Sequence, residues 1–201
     1  MLQIVKTKDE LKKELDFFVW DFKIGDNILY NTTVLYELVD DFNINNKSYG
    51  KPISTISISI IEAIMVDFIY RLYSGTNHFP ESLKDQEGEV KLKLRGETIK
   101  RKHIDLDGQE HEYLVLKNFN FSPMIQVYEE LKLFGDNKII YQSLEKLAFF
   151  RNRIHINNYF NNFEKDENET FSKKRVQITL NIMIWIFDYF KIHYPRPWKN
   201  I

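Results

Sequence analysis

Residues 178–190 read Ile-Thr-Leu-Asn-Ile-Met-Ile-Trp-Ile-Phe-Asp-Tyr-Phe, and they give the clearest indication of the fold. Placed on a helix it is apolar on nearly every face, whereas a helix at the surface of a bundle carries a single apolar stripe. Ser172 is a suitable N-cap residue and Pro195 bounds the other end. The pattern therefore predicts a last helix that lies in the core or in a subunit interface.

Helical periodicity recurs along most of the chain and predicts a mainly α-helical protein. Gly25-Asp26-Asn27 is expected to break the chain after the first helix, and residues 43–52 are expected to form a polar loop. Residues 56–60 alternate Ile and Ser and on their own could form a strand, but the apolar run that follows favours a helix. The further helices are expected at residues 8–22, from Thr32 or Thr33 to about 42, and at 53–73, 122–133 and 138–157.

Residues 88–118 have a different character, because apolar and charged residues alternate there with the period of a half-exposed strand. Asp107-Gly108 is a typical hairpin turn. We therefore expect a single helical domain over residues 1–201 that carries an inserted antiparallel β-meander of three strands at about 88–118.

Composition excludes several classes of protein. Hydrophobic residues make up 43% of the 201 residues, which argues against disorder. The 28 Lys and Arg nearly balance the 29 Asp and Glu, so any surface that attracts nucleic acid must be local. The chain has no cysteine, which excludes disulfides and thiolate chemistry, and its histidines lack the spacing of metal ligands. We expect no metal and no cofactor.

The sequence also predicts where the protein acts. Residues 1–10 contain no apolar core of signal-peptide length. No run is expected to reach membrane-spanning length, and the most apolar tract, 182–187, has six residues. These features predict a cytoplasmic protein that does not bind a membrane.

The candidate catalytic residues lie in Ala148-Phe149-Phe150-Arg151-Asn152-Arg153-Ile154-His155. Arg151 falls in an apolar helical stripe, where a guanidinium is costly unless an anion or a set of acceptors meets it. His155 follows one turn later, about 40° around the helix and about 6 Å along it. A fixed cation beside a group that titrates near neutral pH indicates phosphate chemistry. The alternative is a helix end that carries positive charge because the macrodipole favours it.

The chemistry that suits these residues is cleavage of RNA without a metal. The ribose 2′-hydroxyl would attack the adjacent phosphorus, His155 would move protons and Arg151 would stabilise charge on the non-bridging oxygens. Asn152 could orient the histidine or hold a phosphate. A single histidine cannot readily be base and acid at once, so a two-fold dimer is expected to supply the second copy.

Residues 150–156, Phe-Arg-Asn-Arg-Ile-His-Ile, resemble the signature of HEPN-domain proteins, in which an arginine and a polar residue precede a histidine on a late helix. The resemblance covers the helical frame at about 53–74 and 122–194. It implies an up-and-down helical bundle that forms a homodimer and cleaves single-stranded RNA without metal, in toxin–antitoxin or phage-defence systems. Arg151 and His155 would be catalytic with Asn152, and an antitoxin or defence-system protein would be a partner. The spacing here is shorter than usual for the family, with three residues between Arg151 and His155.

Further residues have two interpretations each. Glu62 lies in an apolar helix and is either a buried counter-ion that supports Arg151 or a solvent-facing residue beside Ser59. Several basic residues also have two interpretations. They either bind RNA or, where they lie on a predicted strand, keep the edge of the sheet soluble. A protein with this motif could also be a catalytically inactive HEPN-like module that binds RNA, a nucleotide or a partner protein. The candidate RNA-binding residues are Lys100, Arg101, Lys102, Arg153, Lys173, Lys174 and Arg175.

Overall fold

The computed structural model describes residues 1–19, 22–45, 49–73, 98–104, 108–116, 121–152 and 167–196. These residues are mainly helical, which confirms the fold class predicted from the periodicity. In chain order the elements are α1 (Lys8–Phe18), α2 (Phe22–Asn45), α3 (Gly50–Tyr73), β1 (Thr98–Ile104), β2 (Glu110–Leu116), α4 (Phe121–Glu130), α5 (Lys138–Asn152), α6 (Glu167–Thr170) and α7 (Lys173–His193).

The predicted break between the first two helices is in the wrong place. α1 already ends at Phe18, and α2 runs without interruption through Gly25-Asp26-Asn27. A glycine costs a helix interior only about 1 kcal/mol. Ile28 and Leu35 of α2 are 1% and 0% exposed, and burial of two such side chains outweighs that cost. Tertiary packing therefore overrides the local signal for a turn.

The predicted helix cap at Thr32 or Thr33 is also wrong. Both threonines lie inside α2, where their hydroxyl groups donate to the carbonyl oxygens of Ile28 and Leu29 at 2.7 and 3.2 Å. The polar loop expected at residues 43–52 is shorter than predicted, because α2 ends only at Asn45 and α3 begins at Gly50.

The helix predicted at residues 53–73 is confirmed as α3. Its alternating Ile and Ser residues do not form a strand, because a serine hydroxyl can be satisfied within a helix. Ser57 is buried, and its hydroxyl donates to the carbonyl oxygen of Ile53 at 2.8 Å. α3 packs against α2 and α7 and so forms part of the core.

α3 also corrects the expectation that no run reaches membrane-spanning length. Its residues Gly50–Ile69 form 20 residues with a mean hydropathy of 1.7, enough by length and composition to cross a membrane. Inside the protein, however, 61% of that window is buried. A core helix of a globular protein has the same properties, so this helix does not indicate membrane association.

α7 is the central helix, as residues 178–190 predict. It begins after Ser172, ends before Pro195 and packs against α1, α3 and α5. Phe187 and Phe190 are fully buried and lie edge-on or tilted against Phe18 of α1, with ring centroids 5.6 and 5.7 Å apart. Nearly all of the apolar residues of this helix thus find a partner helix.

The connection between α4 and α5 is built on a turn with two left-handed residues. α4 already includes Ser122 as its second residue and ends at Glu130, three residues before the predicted end. Turns follow to residue 136, with φ of 51° at Lys132 and 65° at Gly135. Glycine adopts this conformation without strain, so Gly135 suits the position from which the chain enters α5.

The predicted three-stranded meander is not supported. Among the described residues the segment is a two-stranded antiparallel hairpin, β1–β2, in register from Thr98 opposite Leu116 to Ile104 opposite Glu110. Residues 88–97, where the first of the three predicted strands is expected, lie outside the described residues. Of the predicted turn at Asp107-Gly108, Asp107 lies outside the described residues, and Gly108 has a φ of 78°.

Charged residues fasten the start of the chain to α7. Lys6 Nζ lies 2.6 Å from a carboxylate oxygen of the buried Glu14 and also contacts the carboxylate of Asp188. Lys191 Nζ lies 2.9 Å from the same Glu14 oxygen. Burial lowers the pKa of Lys6, but the hydrogen bonds to Asp188 and Glu14 outweigh it and leave this pKa raised. Residues from the first and last parts of the chain are thereby held together.

Candidate active site

Arg151 lies in the last turn of α5, on the side of the helix that faces the core. Ile140, Leu144 and Leu147 of the same stripe are 6%, 0% and 1% exposed, so the predicted apolar stripe is confirmed. The side chain of Arg151 is 42% exposed, which means that it extends from the core edge toward solvent. A cation is thus fixed at the end of a buried helix face and remains accessible to a ligand.

The side chain of Glu62 meets Arg151 from the neighbouring helix α3. Arg151 Nε and Glu62 Oε2 are 3.0 Å apart, and the Glu62 side chain is only 17% exposed. Of the two interpretations of Glu62, the structure therefore shows the counter-ion and not the solvent-facing residue. The contact uses Nε, the guanidinium nitrogen nearest the main chain, and it restricts the direction in which the two terminal nitrogens point.

The electrostatics of this pair favour orientation over stability. Burial raises the pKa of Glu62, and the nearby Arg151 guanidinium opposes that rise without cancelling it. The ionised form of the Glu62 carboxylate is therefore less favourable in the folded protein than in water. Ion pairs with a net cost of this kind are often found where a charge is held for binding or catalysis.

The other predicted catalytic residues are placed only in part. Asn152 is the last residue of α5, directly after Arg151. His155 and the candidate RNA-binding residue Arg153 lie outside the described residues. The pairing of His155 with Arg151 stays a prediction from the helical spacing.

The predicted RNA-binding residues fall on two separate elements. Lys100, Arg101 and Lys102 are consecutive in β1, where their Cα partners in β2 are Leu114, Tyr113 and Glu112. Successive strand residues alternate between faces, so Lys100 and Lys102 share one face of the hairpin. The role of these three residues in RNA binding stays a prediction.

The second basic group forms the first turn of α7, which contains no acidic residue. Lys173 and Lys174 are exposed, whereas Arg175 is half-buried and its guanidinium carbon lies 5.3 Å from the ring centroid of Phe150. The helix macrodipole disfavours cations at this end. Because Phe150 precedes Arg151 directly in α5, this contact brings Arg175 to the helix end that carries Arg151.

The structure also shows an open groove that the sequence analysis missed. It has a volume of about 540 Å³ and lies between α5 and α7. A signal for it was present, because Phe149 and Ile178 are apolar residues outside the buried stripes of their helices and are 50% and 46% exposed. We call it the α5–α7 groove and define it by Lys146, Phe149, Phe150, Arg175, Ile178 and Ile182.

Metal ligation has no candidate in the part of the chain that the structure describes. No group of three or more His, Asp or Glu side chains there could hold a metal ion. Arg151 forms an ion pair with one carboxylate, that of Glu62.

Replacing Glu62 by glutamine is expected to leave the protein at least as stable as the wild type near pH 7. The pKa of Glu62 is raised above 4.5 in the folded protein, so its ionisation costs the folded state free energy as the pH rises through the folded pKa. Glutamine removes that cost and keeps the shape. In urea unfolding, the free energy of unfolding of Glu62→Gln minus that of the wild type should be larger near pH 7 than near pH 4.

The matched control is Glu145→Gln, which makes the same chemical change at an exposed glutamate of α5. If the wild type instead becomes more stable relative to Glu62→Gln as the pH rises, the prediction is wrong.

Comparison of the chain with protein-family models, with characterised proteins and with solved structures gave no match. The resemblance to the HEPN family therefore rests on the residues of the motif and on the helical frame around them.

Proposed function

We propose that this protein is a metal-independent endoribonuclease of HEPN type that cleaves single-stranded RNA as a homodimer in the cytoplasm. The observation that carries the proposal is the contact between Arg151 and Glu62. It supports the proposal because a cation held in a fixed direction at the end of α5, one helical turn before a histidine in the sequence, is suited to a phosphodiester.

In the proposed reaction the ribose 2′-oxygen attacks the adjacent phosphorus, and the bond from phosphorus to the 5′-oxygen of the next nucleotide breaks. His155 takes the proton of the 2′-hydroxyl, and His155 of the second copy gives a proton to the leaving 5′-oxygen. Arg151 stabilises the charge that develops on the non-bridging oxygens, and Asn152 supports the phosphate or the histidine. The products are a 2′,3′-cyclic phosphate and a 5′-hydroxyl.

The dimer follows from the number of proton-transfer groups that in-line displacement needs. One copy of His155 cannot readily act as base and acid in the same step, and a two-fold axis near the end of α5 supplies a second. RNA would be held by Arg153, by the cations of β1 and by the first turn of α7. A toxin–antitoxin or phage-defence role, with an antitoxin or defence-system partner, completes the proposal.

The second candidate is a catalytically inactive HEPN-like module that binds RNA, a nucleotide or a partner protein. The same ion pair favours it in one respect, because Glu62 already neutralises much of the charge of Arg151. An arginine in such a pair can bind a phosphate weakly and reversibly without stabilising a transition state. Expression in bacteria separates the two, since only the nuclease should slow growth in a manner that depends on His155.

The deciding experiment is cleavage of a single-stranded RNA of mixed sequence in excess EDTA by the wild type and by His155→Ala. We expect the wild type to cleave and to leave 2′,3′-cyclic phosphate ends, and the variant to be slower by about 10²–10⁴-fold because it lacks the general acid and base. The matched control is His193→Ala, which removes an exposed histidine of α7 and should cleave at the wild-type rate. Equal rates for all three proteins, or no cleavage by any, would overturn the nuclease and favour the binding module.

A further inference from the structure

The α5–α7 groove has the size and the chemistry of a site for one nucleotide. Its volume of about 540 Å³ lies within the range of roughly 300–1,000 Å³ that is usual for small-molecule sites. The apolar wall includes the buried Ile182 together with Phe149 and Ile178, which are half-exposed. Large apolar side chains that stay exposed beside a cavity are typical of a binding surface.

The polar groups of the groove favour an anion. Lys146 and Arg175 contribute two cations. The nearby hydroxyl groups of Ser143 and Thr179 already donate to the carbonyl oxygens of Ile139 and Arg175 in their own helices. Among the described residues that line the groove, no side chain is acidic. A ligand with an apolar planar part and a negatively charged part is therefore complementary to this surface.

Aromatic and guanidinium planes in the groove suit a nucleobase. The guanidinium of Arg175 lies over the Phe150 ring at 5.3 Å, so two of the groups on which bases stack are already in contact, and Phe149 adds a second ring. Bases stack on aromatic side chains and on arginine without regard to sequence, because every base has a π-face.

The groove also lies beside the proposed catalytic group. Phe150 and Arg151 are consecutive, with Cα atoms about 3.8 Å apart, and a rotation of about 100° per residue turns Phe150 toward α7 while Arg151 faces α3. A base held against Phe150 thus lies within about one nucleotide of a phosphate at Arg151.

We infer that the α5–α7 groove is a nucleobase subsite of the RNA substrate, in which a base stacks beside Phe149 and Phe150 and its phosphate pairs with Lys146 and Arg175. The inference rests on the proposed function, whose substrate it places on the surface of α5 and α7. Charge complementarity selects this occupant over a second copy of the chain, since two copies joined through the groove would bring their own cations together.

The test is the affinity of the full-length protein for a fluorescent ten-nucleotide RNA, and for the same RNA with its central bases removed. Phe149→Ala is expected to weaken binding of the intact RNA by about 5- to 100-fold, since one stacking platform is lost. The abasic RNA should bind the wild type and this variant alike. Ile139→Ala is the matched control, because it removes a 76% exposed apolar residue of the same helix that does not line the groove.

Three outcomes would overturn the subsite: wild-type affinity in Phe149→Ala, an equal loss for intact and abasic RNA, or no binding of RNA by the wild type. Sedimentation of the same proteins gives a fourth, because a dimer that dissociates in Phe149→Ala alone would make the groove a contact between copies. The cleavage assay separates this result from the proposed function. Base-dependent binding without cleavage would keep the subsite and remove the nuclease.

Discussion

Replacing Arg151 by alanine is expected to lower the rate of RNA cleavage by about 10²–10³-fold, the usual effect of removing one group that stabilises developing negative charge. The fold should persist, because the side chain is 42% exposed in the last turn of α5. Arg151→Lys should recover only a small part of the rate, since lysine keeps the charge but loses the planar fork and the Nε contact with Glu62. Single-turnover cleavage in EDTA measures the effect, with thermal unfolding as the check on folding.

The matched control is Lys138→Ala, which removes an exposed cation from the other end of α5 and should cleave at the wild-type rate. Cleavage by Arg151→Ala at the wild-type rate would contradict the role of this residue. The role of Glu62 as a positioning residue is tested by the double variant. Glu62→Gln should slow cleavage in the wild type and have no further effect when Arg151 is already alanine, because a residue that acts through another is not additive with it.

Replacing Phe134 by alanine is expected to lower the free energy of unfolding by about 3–5 kcal/mol, the usual cost of a large cavity in a core. Phe134 is 1% exposed, and the rings of Tyr128, Tyr189 and Trp185 lie 4.9, 5.3 and 5.5 Å from its own. These rings come from α4 and α7, so no neighbour can move to fill the space without shifting a helix. Urea unfolding followed by circular dichroism measures the loss.

The matched control for the core is Phe149→Ala, which makes the same chemical change at a ring that is 50% exposed. Its loss should be less than about 1 kcal/mol, because little apolar surface returns to water. If the two variants unfold at the same urea concentration, the aromatic cluster around Phe134 does not stabilise the core as its burial predicts.

Features that depend on residues within one helical turn of each other can be predicted from the order of residues alone. The apolar periodicity of residues 53–73 and 178–190 predicts α3 and α7, because the spacing of apolar residues shows whether one face or every face of a helix is buried. The same local geometry places Arg151 on the stripe of Leu144 and Leu147. The motif that suggests the function belongs to this local class as well.

Features in which distant residues compete or meet depend on how the helices pack and could not be predicted from the order of residues. Gly25-Asp26-Asn27 has the composition of a turn, yet burial of its neighbours against other helices keeps it inside α2. Glu62 could have faced water or Arg151, and the packing of α3 beside α5 selected Arg151. The α5–α7 groove likewise exists because two helices leave space between them. The distance between two helices cannot be read from the order of residues, because it is set by the sum of all core contacts.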